Sequence, residues 1–122
     1  MPLTITASDV LLVIDMQNDF MPGGALAVGE GVAIVPLVNR IATLFANVAL
    51  TQDWHPAGHA SFASSHPGAR PFETRAMPYG PQILWPDHCV QGTSGARLHE
   101  GVRIDHAMLI LRKGGNLSLI HI

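Results

Sequence analysis

The sequence has little charge for its length and no basic excess. Charged residues make up 13% of the chain, against about 25% in an average soluble domain, so part of its apolar surface is expected to meet a partner. Seven lysines and arginines against nine aspartates and glutamates leave a net charge of -2. The positive footprint of a nucleic-acid-binding protein is therefore absent, which favours small-molecule chemistry.

Cysteine and long apolar runs are also scarce. Cys89 is the single cysteine, which excludes an internal disulfide framework and agrees with a reducing compartment. No run approaches the roughly 18 apolar residues of a membrane span. Residues 1–6 lack the charged start and apolar stretch of a secretion signal. We therefore expect a cytoplasmic protein without a membrane segment.

The length and the last residues bear on domain organisation. A chain of 122 residues has room for one domain with a modest core. The final letters, LSLIHI at 117–122, look like the translated end of a sequencing adaptor. We therefore expect one domain over residues 1–116, lacking its natural C-terminal part, and an adaptor-derived tail over residues 117–122.

Apolar patterning predicts an α/β fold. The continuous run at 10–14 is typical of a strand buried on both faces of a parallel sheet. Between 31 and 47 the apolar positions recur three and four apart, which predicts a helix with Pro36 in its first turn. Strands are predicted at 47–51 and 107–111. Strand, helix and strand in this order form a parallel crossover unit.

Ionisable residues follow each predicted strand. Asp15, then Asp53 with His55, then Lys113 come just after the last apolar residues of the three strands. Open parallel sheets bind ligands beyond the carboxyl ends of their strands. The long segment before the last strand holds six of the nine prolines and shows no sustained period, and such loops are usually functional or disordered. Its aromatic and histidine residues favour the functional option.

A divalent metal site is the leading interpretation of the acidic and imidazole residues. Asp53 and His55 are two residues apart and would point to the same side of an extended backbone, and His88 could complete the site. His59 is a possible fourth ligand, although water could fill that position equally well. The alternative is that these are polar loop residues that satisfy turn amides.

Three other residues each have a structural and a functional interpretation. Asp15 could cap the turn that follows it, or serve as a catalytic base held at the end of a buried strand. Phe20 could belong to the core or form one wall of a flat pocket. Lys113 could be solvated, or a buried ammonium beside Asp15 that keeps the carboxylate ionised and stabilises negative charge. Cys89 has no base placed for it and is expected to be a small buried residue.

Five motifs carry a resemblance to a known family. Over about residues 10–113 the chain resembles the nicotinamidases of the isochorismatase-like cysteine hydrolases, through DMQNDF at 15–20, GGALAV at 23–28, QDWHP at 52–56, HASF at 59–62 and WPDHCVQGT at 85–93. The resemblance implies a three-layer α/β/α sandwich around a mostly parallel sheet, of which this chain would hold the N-terminal portion. It also implies hydrolysis of nicotinamide to nicotinate and ammonia in NAD salvage, often with action on pyrazinamide.

The same resemblance implies roles for individual residues. Asp15 would be the general base, and Lys113 the lysine of a Cys-Asp-Lys triad. The metal ligands would hold a zinc, iron or manganese ion that fixes the ring nitrogen of the substrate, and they would be Asp53, His55 and His88. Phe20 and Trp85 would form the aromatic walls of the pocket, with Gln17 at its edge.

The resemblance also places the nucleophilic cysteine in a segment after the lysine strand, so Cys89 is not the nucleophile and this chain is expected to be inactive alone. Two alternatives remain: a related hydrolase acting on another small amide, and a metal-binding module without turnover. A sheet of three strands would leave an apolar edge and one face without helices. We therefore expect aggregation or pairing with another copy.

Overall fold

The structure is a computed structural model that describes residues 2–118. It contains a small parallel sheet, a hairpin and one α-helix. The elements are β1 (Val10–Val13), α1 (Val35–Ala42), β2 (Asn47–Asp53), β3 (Thr74–Met77), β4 (Gly80–Ile83) and β5 (Leu109–Lys113), with short 3-10 turns at Asn18–Phe20, Gly31–Ile34, Ala63–Ser65 and Ser94–Ala96. Within the predicted tail, residues 119–122 lie outside the described part of the chain.

The central sheet has the order β1-β2-β5, and both pairings are parallel. The α/β fold with a parallel sheet is thus confirmed. β2 runs two residues beyond its predicted end, and β5 starts and ends two residues later than predicted. In that register Asp53 is directly opposite Lys113. The strand ends therefore bring both residues to one edge of the sheet.

Helix α1 begins four residues after the start of the predicted 31–47 span and ends five residues before its end, with Pro36 placed as expected. Pro36 lies in its first turn, where a missing N–H breaks no helical hydrogen bond. The helix ends at Ala42 because Thr43 Oγ1 donates to the Arg40 carbonyl at 2.7 Å and Leu44 N–H bonds back to Ile41. No helix within residues 2–118 combines the length and apolar character needed to cross a membrane.

One face of the sheet carries the core. Alternate residues of β1 and β2 point to α1, because successive side chains of a strand face opposite sides. This core includes Val13, Val48 and Leu50 from the sheet together with Val35 and Ala42 from the helix. The packing anchors the strand ends that carry the ionisable residues.

The opposite face of the sheet is exposed along β1, whereas Ala49 of the central strand is buried. Val10 and Leu12 are each 53% exposed and Ile14 is 60% exposed, and the apolar residues of β5 are about half exposed. The expectation that the first strand is buried on both faces is therefore wrong for this chain, since no helix among the described residues covers this side. The expectation that one face lacks covering helices is confirmed. Of the three layers of the expected sandwich, the described residues form two.

The proline-rich segment contains one regular element that the sequence patterns did not reveal. β3 and β4 pair antiparallel as a hairpin, with Thr74 opposite Ile83. The hairpin was missed because each strand has four residues and β4 includes Pro81, which usually argues against a strand. The rest of this segment follows an irregular path towards the edge of the sheet.

Candidate functional site

The strand ends join Asp15, Asp53 and Lys113 in one ion-pair group. The Lys113 ammonium donates to Asp15 Oδ2 at 2.7 Å and to Asp53 Oδ1 at 2.5 Å. Asp15 adopts a left-handed backbone conformation, with φ of 53°, and its other oxygen accepts a 2.7 Å hydrogen bond from Thr51 Oγ1. One cation thus bridges the carboxylate after β1 and the carboxylate at the end of β2.

This arrangement fixes charge states within the group. Burial would raise the pKa of Asp53, but its interactions with His55 and Lys113 outweigh that effect and lower the pKa to about 2. Burial would lower the pKa of Lys113, but its hydrogen bonds to Asp15 and Asp53 outweigh that effect and raise it. At neutral pH the Asp53 carboxylate and the Lys113 ammonium are therefore both charged.

Asp53, His55 and His88 form a group with ligand atoms that all lie within 4.8 Å of one another. His55 is extended and bridges to Val90 in parallel fashion, so the two-residue spacing places its side chain beside Asp53 as predicted. His55 Nδ1 lies 2.9 Å from the Gly114 carbonyl and His88 Nδ1 lies 2.7 Å from the Pro86 carbonyl. Since a carbonyl can only accept, each Nδ1 carries the proton and each Nε2 has its lone pair free.

The donor set fits a divalent transition metal. Two neutral imidazole nitrogens and one carboxylate oxygen are donors that zinc, iron and manganese accept. The two free atoms His55 Nε2 and Asp53 Oδ2 are 3.6 Å apart, close to the roughly 3.4 Å that separates two ligands about 2.1 Å from one tetrahedral ion. Burial is the main reason that the pKa of His88 is lowered, so this ring stays neutral for coordination.

His59 lies beside the metal group but is not part of it. The ring is fully buried, and its centroid is 4.4 Å from that of His55. Ser61 N–H donates to His59 Nδ1 at 3.2 Å, which places the ring proton on Nε2, a buried atom without a partner among the described residues. Burial is the main reason that the pKa of His59 is lowered to about 4. Coordination by His59 stays a prediction, and it would require the proton to move to Nδ1 and donate to Ser61 Oγ.

A cavity of about 490 Å³ opens beside this group. Phe20 and Trp85 line it, as does Lys113, together with all three residues of the metal group. Asp15 does not line the cavity itself, but it is bonded to Lys113, which does. Gln17 does not line the cavity either, so it does not lie at the predicted pocket edge. Further lining residues that the sequence patterns did not single out are Leu26, Ser61, Gly114, Gly115, Asn116 and Ser118.

Cys89 is fully buried and does not line the cavity. Burial, followed by the negative charges of Asp53 and Asp19, strongly raises the pKa of its thiol. Its backbone, at φ of 48°, is held by a 2.7 Å hydrogen bond from its N–H to Asp19 Oδ2. The thiol is therefore protonated at neutral pH, as expected for a structural cysteine rather than a nucleophile.

Comparison with known proteins is consistent with this geometry. A family model described as the isochorismatase domain matches residues 9–118. The chain belongs to the isochorismatase family. This isochorismatase domain is 54% identical over 104 residues to the nicotinamidase of Acinetobacter baylyi, a match that covers 85% of this chain and 49% of the relative. It thus spans about half the length of that relative.

Solved structures of family members share the fold. The nicotinamidase/pyrazinamidase of Acinetobacter baumanii superimposes with a TM-score of 0.90 at 50% identity, covering 93% of this chain and 55% of that protein. The pyrazinamidase of Pyrococcus horikoshii, solved in complex with zinc, gives a TM-score of 0.66 at 39% identity, covering 88% and 52%. The isochorismatase fold of the described residues is therefore shared with enzymes of this type.

Two supporting residues of the isochorismatase domain were missed because their roles depend on distant contacts. Thr51 lies two residues before Asp53 on the same strand, so alternation could have placed it beside the site. Asp19 anchors the turn after His88 from 70 positions away in the sequence, and no local pattern signals that contact.

We expect Gly114→Ala to weaken divalent metal binding about 10-fold or more, because outer partners orient metal ligands. A Cβ at Gly114 would lie 2.6 Å from His55 Cε1 and 2.8 Å from His55 Nδ1, which displaces the ring. Gly58→Ala is the matched control, since Gly58 also has positive φ but no atom within 4 Å of the added carbon. Titration with Co²⁺, followed by visible absorption, measures both variants. An equal loss in the two variants would point to backbone strain alone.

Proposed function

We propose that this chain carries the metal-binding and acid-base part of a nicotinamidase, an enzyme that hydrolyses nicotinamide to nicotinate and ammonia in NAD salvage. The observation that carries the proposal is the Lys113 ammonium bonded to both Asp15 and Asp53. This ion-pair group adjoins a cavity that has the metal group on one side and aromatic side chains on its walls. The likeness to the Acinetobacter baylyi nicotinamidase supports it.

Asp53, His55 and His88 would hold the metal through Oδ2 and two Nε2 atoms, which are the atoms left free by their other hydrogen bonds. The bound ion would supply a Lewis-acidic position that fixes the ring nitrogen of the substrate. Zinc is our first choice, because the donors suit it and the Pyrococcus horikoshii pyrazinamidase was solved with zinc. Iron and manganese accept the same donors.

Asp15 would transfer the proton of the reaction, and Lys113 would stabilise the negative charge. In the proposed reaction Asp15 takes the proton of a cysteine thiol, and the thiolate sulfur forms a bond to the amide carbonyl carbon. The C–N bond then breaks, and ammonia leaves with the proton returned by Asp15. Water finally cleaves the thioester to give the acid and restore the thiol. Lys113 donates to Asp15 Oδ2 and would stabilise negative charge near the carbonyl.

The thiol in this reaction is not Cys89, the only cysteine in the sequence. Its burial and raised pKa leave it without a role at the cavity. The resemblance to the family places the nucleophile in a segment that follows the lysine strand. We therefore propose that the 122-residue chain binds metal but releases no ammonia by itself.

The cavity favours a flat aromatic amide as the substrate. Phe20 and Trp85 line it, and aromatic side chains pack well on planar rings. Nicotinamide and pyrazinamide are ring amides that would place a nitrogen near the metal group. A related small amide is the second candidate, and the metal group argues for a substrate with a ligating nitrogen.

The buried free thiol of Cys89 agrees with a cytoplasmic location.

The deciding experiment fuses residues 1–116 of this chain to the part of the Acinetobacter baylyi nicotinamidase that lies beyond the match. We expect the purified chimera to release ammonia from nicotinamide only when loaded with a divalent metal, while the chain alone releases none. Ammonia release by the chain alone would refute the proposed inactivity. A folded, metal-loaded chimera that cleaves only carbamoyl or ureido amides would replace the proposed substrate.

A further inference from the structure

Gln17 is one of the most deeply buried polar residues of the structure and makes no contact with the cavity. Its side chain is completely inaccessible to solvent. Its carboxamide makes three hydrogen bonds, all to backbone groups: Nε2 donates to the Asp53 carbonyl at 2.7 Å and to the Ala96 carbonyl at 2.8 Å, and Oε1 accepts from Asp53 N–H at 2.8 Å. Both N–H groups of the carboxamide are used, so none is left for a ligand.

The different ends of β1 and β2 explain the hydrogen bonds that Gln17 makes. β1 ends at Val13, which pairs with Leu50, whereas β2 continues to Asp53. On its other side the end of β2 is paired with β5, where Trp54 N–H donates to the Lys113 carbonyl. On the β1 side the N–H and C=O of Asp53 have no strand to pair with. The carboxamide of Gln17 supplies one acceptor and one donor at that place, as a peptide group of a strand would.

We propose that Gln17 is a positioning residue for the metal site, holding the Asp53 backbone in the extended conformation from which its carboxylate reaches the ion. This inference rests on the proposed metal site. The Asp53 carboxylate binds Lys113 through Oδ1 and would bind the ion through Oδ2. A shift of its backbone would therefore change the geometry of both contacts.

Gln17 also couples the two carboxylates to each other. It follows Asp15 by two residues, and its own N–H bonds to the Asp15 carbonyl at 2.8 Å. Its backbone bridges to Leu98, which fixes the segment from the other side. A single side chain thus sets the position of the loop that carries the proposed base relative to the strand end that carries a metal ligand.

The test compares Gln17→Met with Gln52→Met in the 122-residue chain. Gln52 is a matched control, because its side chain is also buried and also donates to the Ala96 carbonyl, at 2.7 Å, but its other described hydrogen bond is to Arg112 Nε and not to the Asp53 backbone. We expect Gln17→Met to weaken Co²⁺ binding about 10-fold or more and to change the visible absorption of the bound ion. Gln52→Met should keep the affinity and the spectrum of the unsubstituted chain.

Thermal unfolding of the same samples separates positioning from general support. Both substitutions leave the buried Ala96 carbonyl with one donor fewer, so both should lower the Tm, but only Gln17→Met should change the metal site. If Gln17→Met fails to fold, Gln17→Glu keeps the acceptor for Asp53 N–H at almost the same size. Burial against two carbonyl oxygens favours the neutral carboxyl group, which can donate to only one of them. A weaker affinity than that of the unsubstituted chain can then be assigned to the lost donor bond.

Two outcomes would overturn the inference. In the first, the unsubstituted chain binds Co²⁺ and a folded Gln17 variant binds it with the same affinity and spectrum. The metal site would then not depend on Gln17. Absence of Co²⁺ and Zn²⁺ binding by the folded, unsubstituted chain would overturn the proposed metal site and this inference together.

Discussion

Asp15→Asn in the chimera should lower kcat/KM for nicotinamide by about 10² to 10⁴-fold, the usual contribution of a positioned general base. Asparagine keeps the shape of the side chain and tolerates the left-handed backbone that Asp15 adopts. It can still accept the hydrogen bond that Thr51 Oγ1 donates to Oδ1. What it loses is the charge that pairs with Lys113 and the ability to take a proton from a thiol.

The control for this prediction is Asp105→Asn, since Asp105 is exposed and lies outside the cavity. Ammonia release at subsaturating nicotinamide measures kcat/KM for both chimeras. Co²⁺ titration should show unchanged metal binding in the Asp15 variant, which confirms that the site has folded. A rate that matches the control would exclude Asp15 as the base and leave Lys113 and the metal group as features of binding alone.

Replacing His55 by alanine should reduce the affinity of the chain for Zn²⁺ and Co²⁺ by more than about 100-fold, since removing an outer partner of a ligand already costs about 10 to 100-fold. His55 is buried, its Nδ1–H is anchored on Gly114, and its Nε2 lies 3.6 Å from Asp53 Oδ2. Within the group Asp53, His55 and His88, the substitution leaves one imidazole and one carboxylate, fewer than the three protein ligands of a catalytic zinc site.

His106→Ala is the matched control, because His106 is exposed and bonds only to the Phe45 carbonyl among the contacts described for it. Isothermal titration with Zn²⁺ and with nicotinamide reports both affinities. Loss of Zn²⁺ and nicotinamide binding together would support a substrate held at the metal. Zn²⁺ binding without any nicotinamide affinity in the unsubstituted chain would favour a metal-binding module. Retained Zn²⁺ affinity in the His55 variant would show that the ion binds elsewhere.

Much of the fold was predictable because apolar periodicity reports local structure directly. The runs at 10–14, 47–51 and 107–111 predicted the three parallel strands, although three of their boundaries moved by two residues. The β3–β4 hairpin was missed because its strands are short and contain Pro81. The exposed face of β1 was missed for another reason: a continuous apolar run indicates which surfaces can be buried, and packing decides which ones are.

The candidate site divides in the same way. The resemblance named Asp53, His55 and His88, and the structure brings their ligand atoms within 4.8 Å. Gln17 was expected at the pocket edge because it lies within the same motif as Asp15 and Phe20. Its true surroundings depend on where β1 stops relative to β2, which is a property of the paired sheet and is absent from the motif.

The sequence by itself determined the fold class, the order of the strands along the chain and the residue types available for metal and proton chemistry. Those features depend on local patterns and on motif letters. Only the tertiary structure decided that Lys113 bonds to both carboxylates, that both metal-site imidazoles have Nε2 free, and that the Gln17 side chain pairs with the Asp53 backbone in place of a strand. The physical reason is that hydrogen-bond partners and burial are set by contacts between segments far apart in the chain, which no local pattern encodes.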